Sequence, residues 1–226
     1  MIVAGLFYYT QPAEAEPSAT ATAPSASAAP YSLPPVISVA PSAGTSVVPA
    51  IATRIRVQAL DIDLPVVTSP PNEVFPLCNA AEYLTLGAPL AYPGLPQSTY
   101  LYAHARTGMF LPLLTTSQIG DGASMIGMWA EVYTDNDQDH VYQITRVIRH
   151  VSGTAALSEA AGAKTDELWL QTSEGPYETS TKLQVVAEPI GVLAASAADS
   201  HPTAKGNVCP DAPICTTSDA SGCRPA

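Results

Sequence analysis

Between residues 54 and 187 the hydrophobic residues arrive in strand-length runs, and each run is closed by residues that turn the chain. Residues 54–60 (Arg-Ile-Arg-Val-Gln-Ala-Leu) alternate polar and apolar side chains, the period of a strand with one buried face. Residues 61–67 (Asp-Ile-Asp-Leu-Pro-Val-Val) carry the pattern through a turn into a second strand. Residues 99–103 (Thr-Tyr-Leu-Tyr-Ala), 168–173 (Leu-Trp-Leu-Gln-Thr-Ser) and 182–187 (Lys-Leu-Gln-Val-Val-Ala) are further strand-like runs. Residues 124–134 and 140–150 read as a long hairpin of β-branched and aromatic residues around the tip Asp135-Asn136-Asp137-Gln138-Asp139. A chain built this way, with little helix, folds as an all-β barrel or sandwich.

Helix signals are few. Residues 79–88 are one candidate, with Asn79 as N-cap, Glu82 three residues on and Gly87 near the end. The cluster Ala91-Tyr92-Pro93-Gly94-Leu95-Pro96 then ends any helix. Residues 110–114 (Phe-Leu-Pro-Leu-Leu) are expected to cover the core, residues 119–122 to turn, and the Ala- and Gly-rich residues 152–164 to form a loop or a short helix.

The ends of the chain differ in composition from its middle. Residues 2–9 are apolar, far short of the ~20 residues of a spanning helix, and the first Lys or Arg is Arg54. Residues 1–10 therefore read as the remnant of a signal or membrane anchor. Residues 11–50, rich in Pro, Ala, Ser and Thr, bury too little apolar surface to offset the entropy of ordering and read as a disordered linker. The barrel domain is expected over 51–192, with a flexible, Cys-containing tail over 193–226.

A formal charge of −11 with only nine Lys and Arg excludes a nucleic-acid binder, which needs clustered cations on the phosphates. Four cysteines, Cys78, Cys209, Cys215 and Cys223, make two disulfides plausible in an exported chain and leave three pairings open. Their spacing lacks the Cys-x-x-Cys hairpin of a zinc site. The acidic hairpin tip fails as an EF-hand, because His140 stands where the loop needs Gly and Arg146 where it needs Glu. No metal or cofactor is expected.

Three segments carry the chemistry: residues 100–106, ending His104-Ala105-Arg106; residues 168–173, ending in Ser173; and the strand opening at Lys182. Their order resembles that of the sortases, extracytoplasmic cysteine transpeptidases with a catalytic His after one strand, a Cys closing another and an Arg on the next. The turn Pro93-Gly94 ahead of the His strand and the opening strands also fit that family. The resemblance covers about residues 51–190 and implies a closed sortase-like β-barrel with short helices and long loops. It places the family's His on His104, its Cys on Ser173 and its Arg on Lys182. It implies a sorting-signal peptide as acyl donor, a cell-wall or pilin amine (or water) as acceptor, a membrane anchor and an extracytoplasmic, cell-surface location.

Strand alternation puts Trp169, Gln171 and Ser173 on one face and Lys182, Gln184 and Val186 on one face of the next strand. Antiparallel pairing then sets Lys182 beside Ser173 at roughly 5 Å. A hydroxyl is not ionised near neutral pH, so Ser173 needs a general base, for which His104 is the evident candidate. Lys182 keeps the family's positive charge without the guanidinium fork, and Arg106 could supply one. No acidic residue stands out as an orienting third member. His140, His150 and His201 receive no role.

The expectation is a sortase-like acyl-transferase or hydrolase with catalytic His104, Ser173, Lys182 and Arg106. The alternative is a catalytically inactive sortase fold that binds or scaffolds a peptide at the cell surface. A third reading is a structural surface domain cross-linked through its cysteine tail.

Overall fold

The computed structural model describes residues 49–68, 77–83, 90–153, 155–175, 180–207 and 209. The anchor remnant, nearly all of the linker, Cys215 and Cys223 lie outside them. Eight strands form the fold: β1 (Ala52–Val57), β2 (Ile62–Thr68), β3 (Ala81–Tyr83), β4 (Gln97–Tyr102), β5 (Trp129–Thr134), β6 (Gln138–Val151), β7 (Asp166–Ser173) and β8 (Lys182–Ala194). They close into a barrel in the order β1-β2-β3-β4-β7-β8-β6-β5, with β5 returning to β1. Closure leaves no edge strand to template aggregation. All neighbours are antiparallel except β2 with β3 and β4 with β7.

The interior is filled by the inward alternate of each strand, including Ile55, Val57, Leu64, Leu101, Val132, Ile144, Leu168, Leu170, Leu183 and Val185, all fully buried or nearly so. Helix α1 (Leu111–Ser117) contributes Leu113, and Met109 and Phe110 just before it complete the same core. A second apolar cluster lies on the outer face of β4, β7 and β8: Tyr100, Tyr102, Trp169 and Val186, covered by Ala160 of helix α2 (Ser158–Gly162). β4 is thus buried on both faces from Ser98 to Tyr102, its polar Ser98 bonded to the Ala160 carbonyl of α2.

Three expectations are corrected. The first half of the helix expected over residues 79–88 is not helical: residues 81–83 are strand β3, and 84–89 lie outside the described residues. Asn79 has φ +58°, a left-handed conformation that swings the chain into the sheet, where an N-cap residue is extended. Glu82, read as the acid of a capping box, is instead buried opposite Tyr102. The hairpin's first strand begins at Trp129 and not at Ser124, because residues Gly120–Met125 form a 3-10 turn and Gly127 turns at φ +89°. At the C-terminal side the ladder continues to Ala194, past the expected barrel end at residue 192, and helix α3 (Ala197–Ser200) packs on β1 and β5. Arg54 fixes that helix through Asp199 at 3.1 Å while also pairing with Asp63 at 2.7 Å.

The cysteine pairing left open by the sequence resolves in part as a Cys78–Cys209 disulfide. Beside it Cys78 and Asn207 exchange backbone hydrogen bonds at 2.7 and 3.0 Å, stitching the C-terminal segment to the chain ahead of β3. No helix among the described residues is long and apolar enough to cross a membrane.

Candidate active site

The outer face of β3, β4, β7 and β8 is a grid set by strand register. One row holds Tyr100, Trp169 and Val186; the next holds Glu82, Tyr102, Gln171 and Gln184. The rim row follows. Ser173, last in β7, is paired with Lys182, first in β8. The Lys182 Nζ donates to Ser173 Oγ at 2.9 Å, the side-by-side placement that strand alternation predicted. β4 runs parallel to β7 with Tyr102 level with Gln171. The alignment persists one step past the strand, where the Ala103 amide donates to the Gln171 carbonyl at 3.1 Å and the Thr172 hydroxyl to the Ala103 carbonyl at 2.8 Å. Continued by one residue, it brings His104 level with Ser173. The His104 carbonyl in turn accepts from the Arg106 and Phe110 amides at 2.9 and 3.0 Å, which fixes the turn after it.

Arg106 sits toward β3, its Nη1 3.8 Å from Cys78 Sγ. Of the four residues singled out in the sequence, Ser173 and Lys182 are in direct contact. His104 follows Ala103, which is bonded to β7, and Arg106 is placed beside the disulfide.

The row beneath the rim is polar and tightly bonded. The Tyr100 hydroxyl donates to Gln171 Oε1, and Gln184 Nε2 donates to the Tyr100 hydroxyl at 2.9 Å, to Gln171 Oε1 at 3.3 Å and to the Ala156 carbonyl. Burial drives the Tyr100 hydroxyl above its ordinary range, against the opposing effect of the Gln184 hydrogen bond, so it serves as a neutral donor. Glu82 accepts from the Tyr102 hydroxyl at 2.9 Å and from the Leu77 amide. These bonds hold β7 and β8 in the register that sets Ser173 against Lys182.

Glu174 was not legible as a site residue. Its carboxylate, 6% exposed, accepts from Arg149 Nε at 3.2 Å and from the His150 amide at 2.8 Å, and lies 3.0 Å from His150 Nδ1. Burial raises its pKa, but hydrogen bonds from Thr181, His150 and Arg149 and the nearby imidazole outweigh that and hold it below the usual carboxylate value. The partners lie about 25 residues upstream, so no local spacing announces them. Their effect is to clamp the residue after Ser173 onto β6, while the Glu174 amide closes the loop onto the Thr181 carbonyl at 2.8 Å.

The barrel resembles solved sortases. Listeria monocytogenes sortase A matches at TM-score 0.51 over 69% of this chain and 99% of its own, with 17% sequence identity. Streptococcus pneumoniae sortase C matches at TM-score 0.50 over 65% and 71%, with 20% identity. The fold is sortase-like. No protein-family model matches the chain, and no curated protein matches it either. The expectation of a closed sortase-like barrel is therefore met in the coordinates and in these neighbours. At such identities the likeness concerns fold alone, and the chemistry must be argued from the rim.

Proposed function

We propose that this chain is an extracytoplasmic peptide acyl-transferase or hydrolase. Ser173 is its nucleophile and His104 its acid/base, while Lys182 and Arg106 supply positive charge at the rim. The observation that carries this reading is the 2.9 Å contact between the Ser173 hydroxyl and the Lys182 amine. A serine in a turn usually bonds locally to the backbone; this hydroxyl instead meets a lysine amine across two strands.

The acyl donor is an extended peptide of the sorting-signal class, its scissile carbonyl presented at the rim beside Ser173 and Lys182. Attack of Ser173 Oγ on its carbonyl carbon gives an acyl-enzyme and releases an amine, which His104 protonates. A primary amine or water then takes the acyl group. The negative oxygen of the tetrahedral intermediate is stabilised by the rim cations; a missing donor there typically costs about 100-fold or more in rate. Residues 1–50 tether the barrel to the membrane in this reading.

The test is to incubate the full chain with Leu-Pro-x-Thr-Gly-type peptides and a primary amine, and to follow products by mass. Peptide joined to the amine, or hydrolysed, in the natural protein but not in Ser173→Ala supports the proposal. Saturable peptide binding with no product overturns it in favour of a peptide-holding scaffold.

A further inference from the structure

We propose that Lys182 is the general base for Ser173, a serine–lysine dyad on the sortase-like barrel, with His104 serving the leaving and incoming amines. The inference rests on the reading of Ser173 as nucleophile and changes what activates it. Substitution of a thiol by a hydroxyl removes the nucleophile's readiness to ionise, so a base must touch the oxygen. Among the described residues, the Lys182 amine lies at hydrogen-bond distance from Ser173 Oγ, 2.9 Å.

Its placement is as rigid as the barrel permits. Lys182 is paired on one side with Ser173 of β7 and on the other with Val151 of β6. Its residue is locked at the start of β8 by the Glu174–Thr181 backbone bond and by the Gln171–Gln184 contact one step below. His104, by contrast, stands past the end of β4 in a turn. A lysine amine can lose its proton and act as a base, whereas a guanidinium cannot. The family's arginine at this place is restricted to stabilising charge, and the lysine is not.

The proton count closes. Neutral Lys182 Nζ accepts the Ser173 hydroxyl proton as the oxygen bonds to the peptide carbonyl carbon. Collapse of the intermediate breaks the carbon–nitrogen bond, and the departing nitrogen takes a proton from His104 imidazolium. This leaves an ester, a free amine, an ammonium at Lys182 and a neutral imidazole. In the second half, His104 accepts a proton from the incoming amine or water as it attacks the ester. Ser173 Oγ leaves with the proton held by Lys182, and both groups return to their starting states.

A fluorophosphonate probe separates the two assignments, because its fluoride leaves without protonation and needs only the base. Labelling rates are measured on the full chain for the natural protein, Ser173→Ala, Lys182→Arg, Lys182→Met and His104→Gln, with circular dichroism confirming each fold. The dyad requires Lys182→Arg and Lys182→Met to lose labelling by about 100-fold or more, the usual worth of a general base. It requires His104→Gln to be labelled within about tenfold of the natural protein while losing peptide turnover. Labelling that survives Lys182→Arg, or that is lost in His104→Gln, overturns the dyad and leaves Ser173 as a nucleophile served by His104. No labelling of the natural protein removes the nucleophile itself, and the dyad with it.

Discussion

A hydroxyl gains nucleophilic character only from what touches it, so the rim must be judged atom by atom. Ser173 and Lys182 are singled out by the sortase resemblance, and strand alternation adds that they stand side by side, a signal local in sequence. Glu82 and Glu174 were not, since what defines them is burial among partners drawn from other strands. The same is true of two ionisable groups far from the rim. Burial, with repulsion from Glu131 and Asp199 outweighing Arg56, raises the Asp139 carboxyl from 3.8 to about 7, and one of its oxygens has no partner among the described residues. The protonated form is therefore the stabilising one: its contribution is full below about pH 4 and is lost as the pH rises through about 7. Asp139→Asn is expected to stabilise the protein at pH 8, by roughly 1–2 kcal/mol in thermal or denaturant unfolding, and to do little at pH 4. Equal effects at both pH values would contradict this. Buried His140 has the opposite sign. Burial lowers its pKa from 6.5 to about 4, so its contribution is full above 6.5 and is lost as the pH falls toward 4.

Elements place these groups, and two of them deserve direct tests. The Pro93-Gly94 turn that leads into β4 was read correctly from composition, yet the reason Gly is needed came only with the fold. Gly94 has φ +81°, and a Cβ there would lie 2.8 Å from His140 Cε1 across the barrel end. Gly94→Ala is expected to cost about 1–3 kcal/mol in unfolding free energy, from left-handed strain and the clash together; an unchanged melting temperature would refute the packing described. The second is the polar row beneath the rim. Gln184→Leu leaves the Ala156 carbonyl and the Tyr100 hydroxyl short of a buried donor and is expected to destabilise by about 1–3 kcal/mol. It is also expected to lower turnover more than Gln143→Leu, a substitution at a half-buried side chain that donates to the Gly127 carbonyl. The helix expected at residues 79–88 fails at this scale: capping residues were present, but two sheet neighbours needed β3 to complete the barrel.

For the whole molecule, the all-β class is visible in the alternation, whereas β3, ring closure and the parallel β4–β7 contact, which pairs residues about 70 apart, leave no local mark. Within the segment expected as a flexible tail, residues 197–200 form α3, tied to the barrel by Arg54, and Cys209 is bonded to Cys78. That bond spans 131 residues of chain. Reduction by a dithiol, or Cys209→Ser, is expected to cost on the order of 3–5 kcal/mol and to lower the melting temperature by several degrees; identical melts with and without reductant would contradict it. The proposed function requires His104, 69 positions before Ser173 in sequence, to meet Ser173 and Lys182 at one rim. The most direct test of that convergence is tandem mass mapping of the fully fluorophosphonate-treated chain. A single adduct on Ser173, reduced or absent when Lys182 is changed to methionine, is the result expected; adducts scattered over other hydroxyls, or none on Ser173, would contradict it.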